Sequence, residues 1–281
     1  MARGAAAFKF GTDAWDPTHR FETSWLISPW ALFVFRALFA LYALFTSVFI
    51  LGWSCTHSAD GCVASQERFS YFTVLTYWGL AFYFLFAAIH TFTYARTGRA
   101  LLDRFPRPLQ ALHSAFYTTI VTYPFVVTIV YWGVLYSGKW FPVVFDGWSN
   151  VSQHLLNSVF ALFEIVIPRT DLLPAVHMLW LILVLALYLA VAYITKATRG
   201  WYPYGFLDPG KQHALVAAYV FGIAVGALVV FGVVTGLIAL RKWVTETKMG
   251  RTGKFAKVER EAGRGDEEDM AELGAAKRVS A

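Results

Sequence analysis

"PWALFVFRALFALYALFTSVFILG" occupies residues 29–52 and carries one charge, Arg36. Wound into a helix at about 1.5 Å per residue, a stretch of this length crosses the hydrocarbon core of a bilayer. A secretory h-region is shorter, begins sooner and ends at a small-residue cleavage site. This stretch follows a polar and aromatic segment and has no such site, so it reads as a retained membrane span.

A window of about 19 residues marks further spans along the chain. With the first, the candidates are roughly 29–52, 69–93, 111–136, 151–168, 174–195 and 213–240. The fourth is the shortest and least apolar. Hydrophobic residues make up 57% of the 281 and charged ones 15%, too few charges for an ordinary soluble domain. The expected fold is all-α: a polytopic membrane helical bundle of about six transmembrane helices with a disordered cytosolic C-terminal tail. The expected organisation is a cytosolic N-terminal segment at 1–28, a six-helix domain at 29–240 and a basic tail at 241–281.

That tail holds ten of the 24 Lys and Arg and few large apolar side chains, too little to bury for independent folding. Its charge fits cytosolic solvent or anionic headgroups, not nucleic acid. Basic loops face the cytoplasm. Arg3, Lys9 and Arg20 precede the first span, and Arg96, Arg99, Arg104 and Arg107 follow the second. The loops after spans one and three carry only Arg68 and Lys139. Both termini are therefore expected in the cytosol, although Lys196, Arg199 and Lys211 after span five run against this pattern. The expected location is the endoplasmic reticulum and endomembranes or the plasma membrane, and membrane lipids are the expected partners.

This orientation puts "CTHSADGC" at 55–62 in the first exoplasmic loop. A disulfide between Cys55 and Cys62 and a pair of free thiols both fit it. A metal site with His57 would lack a fourth ligand. No metal or cofactor is expected elsewhere, since the His residues form no HxxxH or HxxHH motif.

The fourth span, "SQHLLNSVFALFEIVIP" at 152–168, carries polar side chains where lipid should be. On a helical wheel with His154 at zero, Asn157 falls near 300° and Glu164 near 280°, so the three share one face. Leu155, Val159, Leu162 and Val166 lie on the other. Polar groups inside a membrane are costly and face the bundle interior. Glu164 lies roughly 15 Å deeper than His154, in a layer with Arg36, His90, His113 and His177. A buried Arg36–Glu164 pair accounts for both charges, with His177 as the other candidate to neutralise Glu164. His154 and Asn157 share a shallow layer with Thr73 and Thr76 of "YFTVLTYW", and His213 is a candidate member.

An imidazole can take the proton of a hydroxyl and make it a nucleophile. Thr73 and His154 at one depth therefore suggest acyl transfer, with Asn157 orienting the ring or donating to an oxyanion. The ordinary alternative is a Thr bonded to its own backbone four residues back and a His touching headgroups.

Three stretches, "ERFSYFTVLTYW", "SQHLLNSVFALFEIVIP" and "TRGWYPYGFLDP", resemble the androgen-induced-gene family, distantly similar to the rolling-stone proteins. The family includes androgen-dependent tissue-factor-pathway-inhibitor-regulating protein. The resemblance spans roughly residues 30–240, and the order of the motifs carries it. It implies a threonine hydrolase of fatty acid esters of hydroxy fatty acids, with a lipid ester as substrate. The family's Tyr-x-Thr stretch falls on "YFT" and implies Thr73 as nucleophile. Its His-x-x-His stretch falls on "HLLN", with Asn157 in place of the second His, or else His154 is itself the second His. In either register one His is missing. Two other readings stay open: a non-enzymatic multi-pass protein of rolling-stone type, and a transporter with a polar path through Arg36, Glu164 and His177.

Overall fold

The computed structural model describes residues 16–252. They form an all-helical bundle whose chain crosses from one end to the other six times. Five helices are long and apolar enough to span a membrane: α1 (Pro29–His57), α3 (Phe72–Thr97), α4 (Arg107–Val130, extended by a π turn to Leu135), α7 (His177–Arg199) and α9 (Leu215–Lys242, extended by a π turn to Lys248). The remaining transit is built from α5 (Val144–Val151), a π turn at Ser152–Leu156, and α6 (Asn157–Val166). The fourth span thus starts seven residues earlier than its hydropathy indicates. Short helices α2 (Cys62–Glu67) and α8 (Pro209–Gln212) sit in loops.

Local chemistry sets the ends of the spans. Ser28 caps α1 by accepting from the Ala31 N–H, and Pro29 fills the first turn, where its missing N–H costs nothing. α3 and α7 end at Gly98 (φ 76°) and Gly200 (φ 84°), left-handed positions that favour glycine. Pro124 is accommodated inside α4.

The most extensive packing joins α1 to α3. Ala40 and Ala43 of α1 and Ala81 and Ala87 of α3 are buried in that core, and small side chains let membrane helices approach closely. The fourth transit crosses the core as its wheel predicts. His154, Asn157 and Glu164 are buried, while Leu155, Val159, Leu162 and Val166 are exposed to the lipid side.

One end of the bundle carries both ends of the described chain. There the segment before α1 closes over the end of α6: Ser24 Oγ donates to Ile167 O at 2.7 Å, and Trp25 Nε1 to Val166 O at 2.7 Å. The domain boundary expected at residue 240 falls inside a helix. Arg241 is buried and donates to the carbonyls of Pro168 and Thr170, and Lys242 pairs with Asp171. Those bonds hold in place two basic residues that composition assigns to a tail. The rest of the expected tail, 253–281, lies outside the described residues, as do Arg3 and Lys9. The opposite end carries the Cys55–Cys62 disulfide, which resolves the two open readings of that loop.

Candidate functional site

The π turn at Ser152–Leu156 presents His154 to the interior near the disulfide end. Its Nδ1 lies 3.0 Å from Asn150 O. A carbonyl only accepts, so Nδ1 carries the proton and Nε2 keeps its lone pair, the tautomer a general base requires. The ring stacks on Tyr131, with centroids 3.6 Å apart and planes 15° off parallel. Trp132 Nε1 donates to His154 O at 3.0 Å and fixes the backbone of the turn.

Tyr131 is also a wall of a cavity of about 240 Å³ between α3, α4, α7 and α9. Thr73 lines the same cavity, with Tyr188 and Tyr204. The remaining lining is apolar, and Phe221 on it is exposed to the lipid side. Thr73 stands in the first turn of α3, and the residue four behind it, Phe69, belongs to a separate 3-10 turn at Arg68–Ser70. Its backbone N–H approaches the Tyr204 hydroxyl at 3.5 Å, and its side chain adjoins the same oxygen. Burial raises the Tyr204 hydroxyl above its ordinary pKa, with Thr73 opposing, so Tyr204 stays a neutral donor and acceptor. Thr76 is different. Its Oγ1 donates to Phe72 O at 2.9 Å and Thr73 O at 3.1 Å, the self-bonded state usual in membrane helices.

The hydrogen bonds of Thr73 and His154 go to other partners; Thr73 lines the cavity, and His154 stands behind it, stacked on the wall residue Tyr131. Asn157 does not touch the imidazole. Its Oδ1 accepts from Thr128 Oγ1 at 3.2 Å and from Ser158 N at 2.7 Å, and its Nδ2 approaches Pro124 O at 3.4 Å. Asn157 thus ties the fourth transit to the proline region of α4. His213 is exposed at a positive φ of 49° and does not join the shallow layer.

The deep layer closes on itself. Arg36 grips Glu164 through Nε at 2.8 Å and Nη2 at 2.7 Å. Its Nη1 donates to Phe21 O at 2.7 Å and Thr91 Oγ1 at 2.6 Å, and Tyr83 donates to Glu164 at 3.2 Å. His177 takes no part; its Nδ1 meets Thr118 Oγ1 at 2.7 Å. His90 and His113 pack edge to face, with centroids 5.3 Å apart.

Composition did not single out Asn150, Tyr131 or Tyr204 for this site. The one usable signal was Asn150, four residues before His154 in "WSNVSQH".

The FAR-17a/AIG1-like protein family profile matches residues 35–236, well over half of the chain. The chain belongs to the FAR-17a/AIG1-like family. The match agrees with the androgen-induced-gene resemblance and contains Arg36, Thr73, His154, Asn157, Glu164 and His177. No curated relative and no solved structure matches the chain.

Proposed function

We propose that this FAR-17a/AIG1-like protein is an integral membrane hydrolase of lipid esters, with Thr73 as nucleophile and His154 as its general base. One observation carries the reading: Thr73 and the ring that seats His154 line the same apolar, lipid-facing cavity. A long-chain ester would enter sideways from the bilayer and place its carbonyl at the Thr73 end. Thr73 Oγ attacks that carbonyl, and the Nε2 lone pair of His154 receives the hydroxyl proton. The proton passes to the departing alcohol, leaving an acyl-Thr73 ester for water to cleave. Catalytic hydrogen bonds are often long or misaligned before substrate binds, so the resting partners of the two residues are compatible with this role.

The substrates this reading favours are fatty acid esters of hydroxy fatty acids, which the family resemblance brings forward. The basic loops at the end where the described chain begins and finishes favour a cytosolic position for that end. The disulfide favours an oxidising compartment for the other, as in endomembranes or at the plasma membrane. Transport is disfavoured, because Arg36, Glu164 and their neighbours satisfy one another across the path it would need.

The test uses membranes bearing wild type, Thr73→Ala or His154→Ala. Each is treated with a fluorophosphonate and with a fatty-acyl hydroxy-fatty-acid ester. Loss of labelling with Thr73→Ala and loss of turnover with both variants is expected. Equal labelling and turnover in all three would leave the non-enzymatic rolling-stone-like reading in its place.

A further inference from the structure

The carbonyl oxygen of an ester turns negative as a nucleophile attacks it, and a mostly apolar cavity has little to meet that charge. Asn157, the donor expected from the sequence, does not line the cavity and is held by Thr128, Ser158 and the Pro124 carbonyl. The lining carries four polar side chains: Thr73, Tyr131, Tyr188 and Tyr204. Tyr131 gives its ring to His154. Tyr188 donates its hydroxyl proton to Ser70 O at 3.1 Å. The Tyr204 hydroxyl stands against the nucleophile itself: the Thr73 N–H points at its oxygen from 3.5 Å, and the Thr73 side chain adjoins it. The oxygens beside its own proton, those of Thr73 and Tyr188, are neutral. An oxyanion is a stronger acceptor than either.

The loop after α7 fixes that hydroxyl in place. Pro203 sets the backbone one residue ahead. Tyr204 O accepts from the Leu207 N–H at 3.0 Å, which closes the 3-10 turn Gly205–Leu207. The ring stacks on Phe206, with centroids 5.1 Å apart and planes 5° off parallel, and meets Tyr71 edge on at 5.6 Å. Burial raises the phenol above its ordinary pKa, so it keeps its proton near neutrality, as a donor must and a base must not.

We propose that Tyr204 is a further catalytic residue, the donor that stabilises the oxyanion formed when Thr73 attacks an ester carbonyl. This rests on the hydrolase reading. As Thr73 Oγ bonds the carbonyl carbon, the C=O π pair moves onto the oxygen, which takes a hydrogen bond from the Tyr204 O–H. The Thr73 N–H beside it is a second donor. The Thr73 hydroxyl proton goes to His154 Nε2. When the C=O re-forms, the bond to the alcohol oxygen breaks, the alcohol leaves with that proton, and acyl-Thr73 remains. The same donors serve the attack of water on acyl-Thr73. Tyr204 keeps its own proton throughout, so the reaction needs only ester and water.

The experiment centres on Tyr204→Phe, which removes one oxygen and keeps the ring that packs on Phe206 and Tyr71. In membranes, kcat for a fatty-acyl hydroxy-fatty-acid ester is expected to fall about 10²-fold, the scale of one lost oxyanion donor, with KM within about threefold of wild type. Two binding arms use the full chain in nanodiscs. An ether analogue of the ester has no carbonyl and should bind wild type and Tyr204→Phe within about twofold of each other. A long-chain alkylphosphonate monoester carries anionic oxygens where the oxyanion would form. It is measured on Thr73→Ala and on Thr73→Ala/Tyr204→Phe, where attack by Thr73 contributes nothing. Removing the Tyr204 hydroxyl there should weaken binding about tenfold, the scale of one hydrogen bond to a charged group. That arm separates a donor from a residue that only holds Thr73 in place. A kcat within threefold of wild type, phosphonate affinity independent of Tyr204, or loss of ether binding along with kcat would each overturn the proposal. Wild type without ester turnover would remove the hydrolase reading and this role with it. Turnover that depends on Thr73 but not on Tyr204 would remove this role alone.

Discussion

His154 lies flat on Tyr131, 3.6 Å from centroid to centroid, while its Nδ1 is held by the carbonyl of Asn150, 3.0 Å away. Two constraints thus fix one imidazole: the carbonyl sets its tautomer and the phenol ring sets its plane. Tyr131 belongs to the π turn that ends α4 and His154 to the π turn within the fourth transit. The wider turns bring two aromatic rings face to face where regular helices would carry them past each other.

Tyr131 therefore acts as a positioning residue for the proposed base. Tyr131→Phe keeps the stacked face, and ester turnover within about threefold of wild type is expected. Tyr131→Ala releases the ring, and a loss on the order of 10²-fold in kcat is expected, the scale of a displacement of about 1 Å at a reacting group. Fluorophosphonate labelling measured beside kcat separates a misplaced base from a collapsed cavity. Equal kcat for the two variants would remove the positioning role.

The disulfide gives a direct reading of orientation. Cys55 and Cys62 lie seven positions apart, and closing so short a loop contributes about 2–3 kcal/mol in the chain-entropy account. In sealed microsomes a membrane-impermeant maleimide should leave both cysteines unlabelled before reduction. After reduction, labelling should require detergent, because the loop is expected inside. The double variant Cys55→Ser/Cys62→Ser should melt at a lower temperature than wild type. Labelling of reduced, intact microsomes from outside would reverse the proposed orientation.

Stability at the end where the described chain begins and finishes should depend on pH through two carboxyls of opposite behaviour. Glu22 is buried and its Oε2 is unpartnered. Burial, with Asp16 adding to it and Arg36 opposing, holds its carboxyl well above the usual carboxylate range. The fold therefore favours the neutral acid. That contribution is full below the unfolded value of about 4.3 and is lost as pH rises through the raised folded value. Asp171 runs the other way. Burial alone would raise it, but the hydrogen bond from Lys242 and the charge of Arg20 hold it below its ordinary value. Its contribution is present above about pH 3.9 and is lost as pH falls through the lowered folded value. Glu22→Gln should raise Tm near pH 7.5 and lose that advantage near pH 4. Asp171→Asn should lower Tm near neutrality. Melting curves in detergent between those limits check both.

Much of the bundle was legible in the sequence because membrane spans answer to one rule, burial of polar faces away from lipid. His154, Asn157 and Glu164 share the inward face of the fourth transit, and of the two candidates to neutralise Glu164, Arg36 and His177, it is Arg36 that meets it. The site was less legible because its partners come from rotations and turns that composition does not encode. Asn157 sits one turn from His154 on the wheel, yet the π turn sends it to Thr128 and the proline region of α4. Nothing in the turn-rich stretch "RGWYPYGFLDP" signals that the Tyr204 hydroxyl reaches Thr73 of another helix. Arg241 was assigned to a tail by its basic surroundings, and two carbonyls at the end of the fourth transit capture it.

The deep ion pair carries the last prediction. Arg36 and Glu164 are 1% and 0% exposed, and three guanidinium nitrogens and both carboxylate oxygens are engaged. Removing one partner leaves the other charged in a medium that cannot solvate it, which costs about 3–5 kcal/mol. Glu164→Gln or Arg36→Met should therefore lower Tm sharply and reduce the folded fraction recovered from membranes. The double variant Arg36→Met/Glu164→Met removes both charges and should recover most of that loss, because the pair's own attraction is offset by the cost of burying it. Thr91 would keep its bond to Ala87 O, but Tyr83 would lose its acceptor, so recovery should fall short of wild type. A double variant no more stable than either single would mean that the pair stabilises the bundle beyond cancelling its own desolvation.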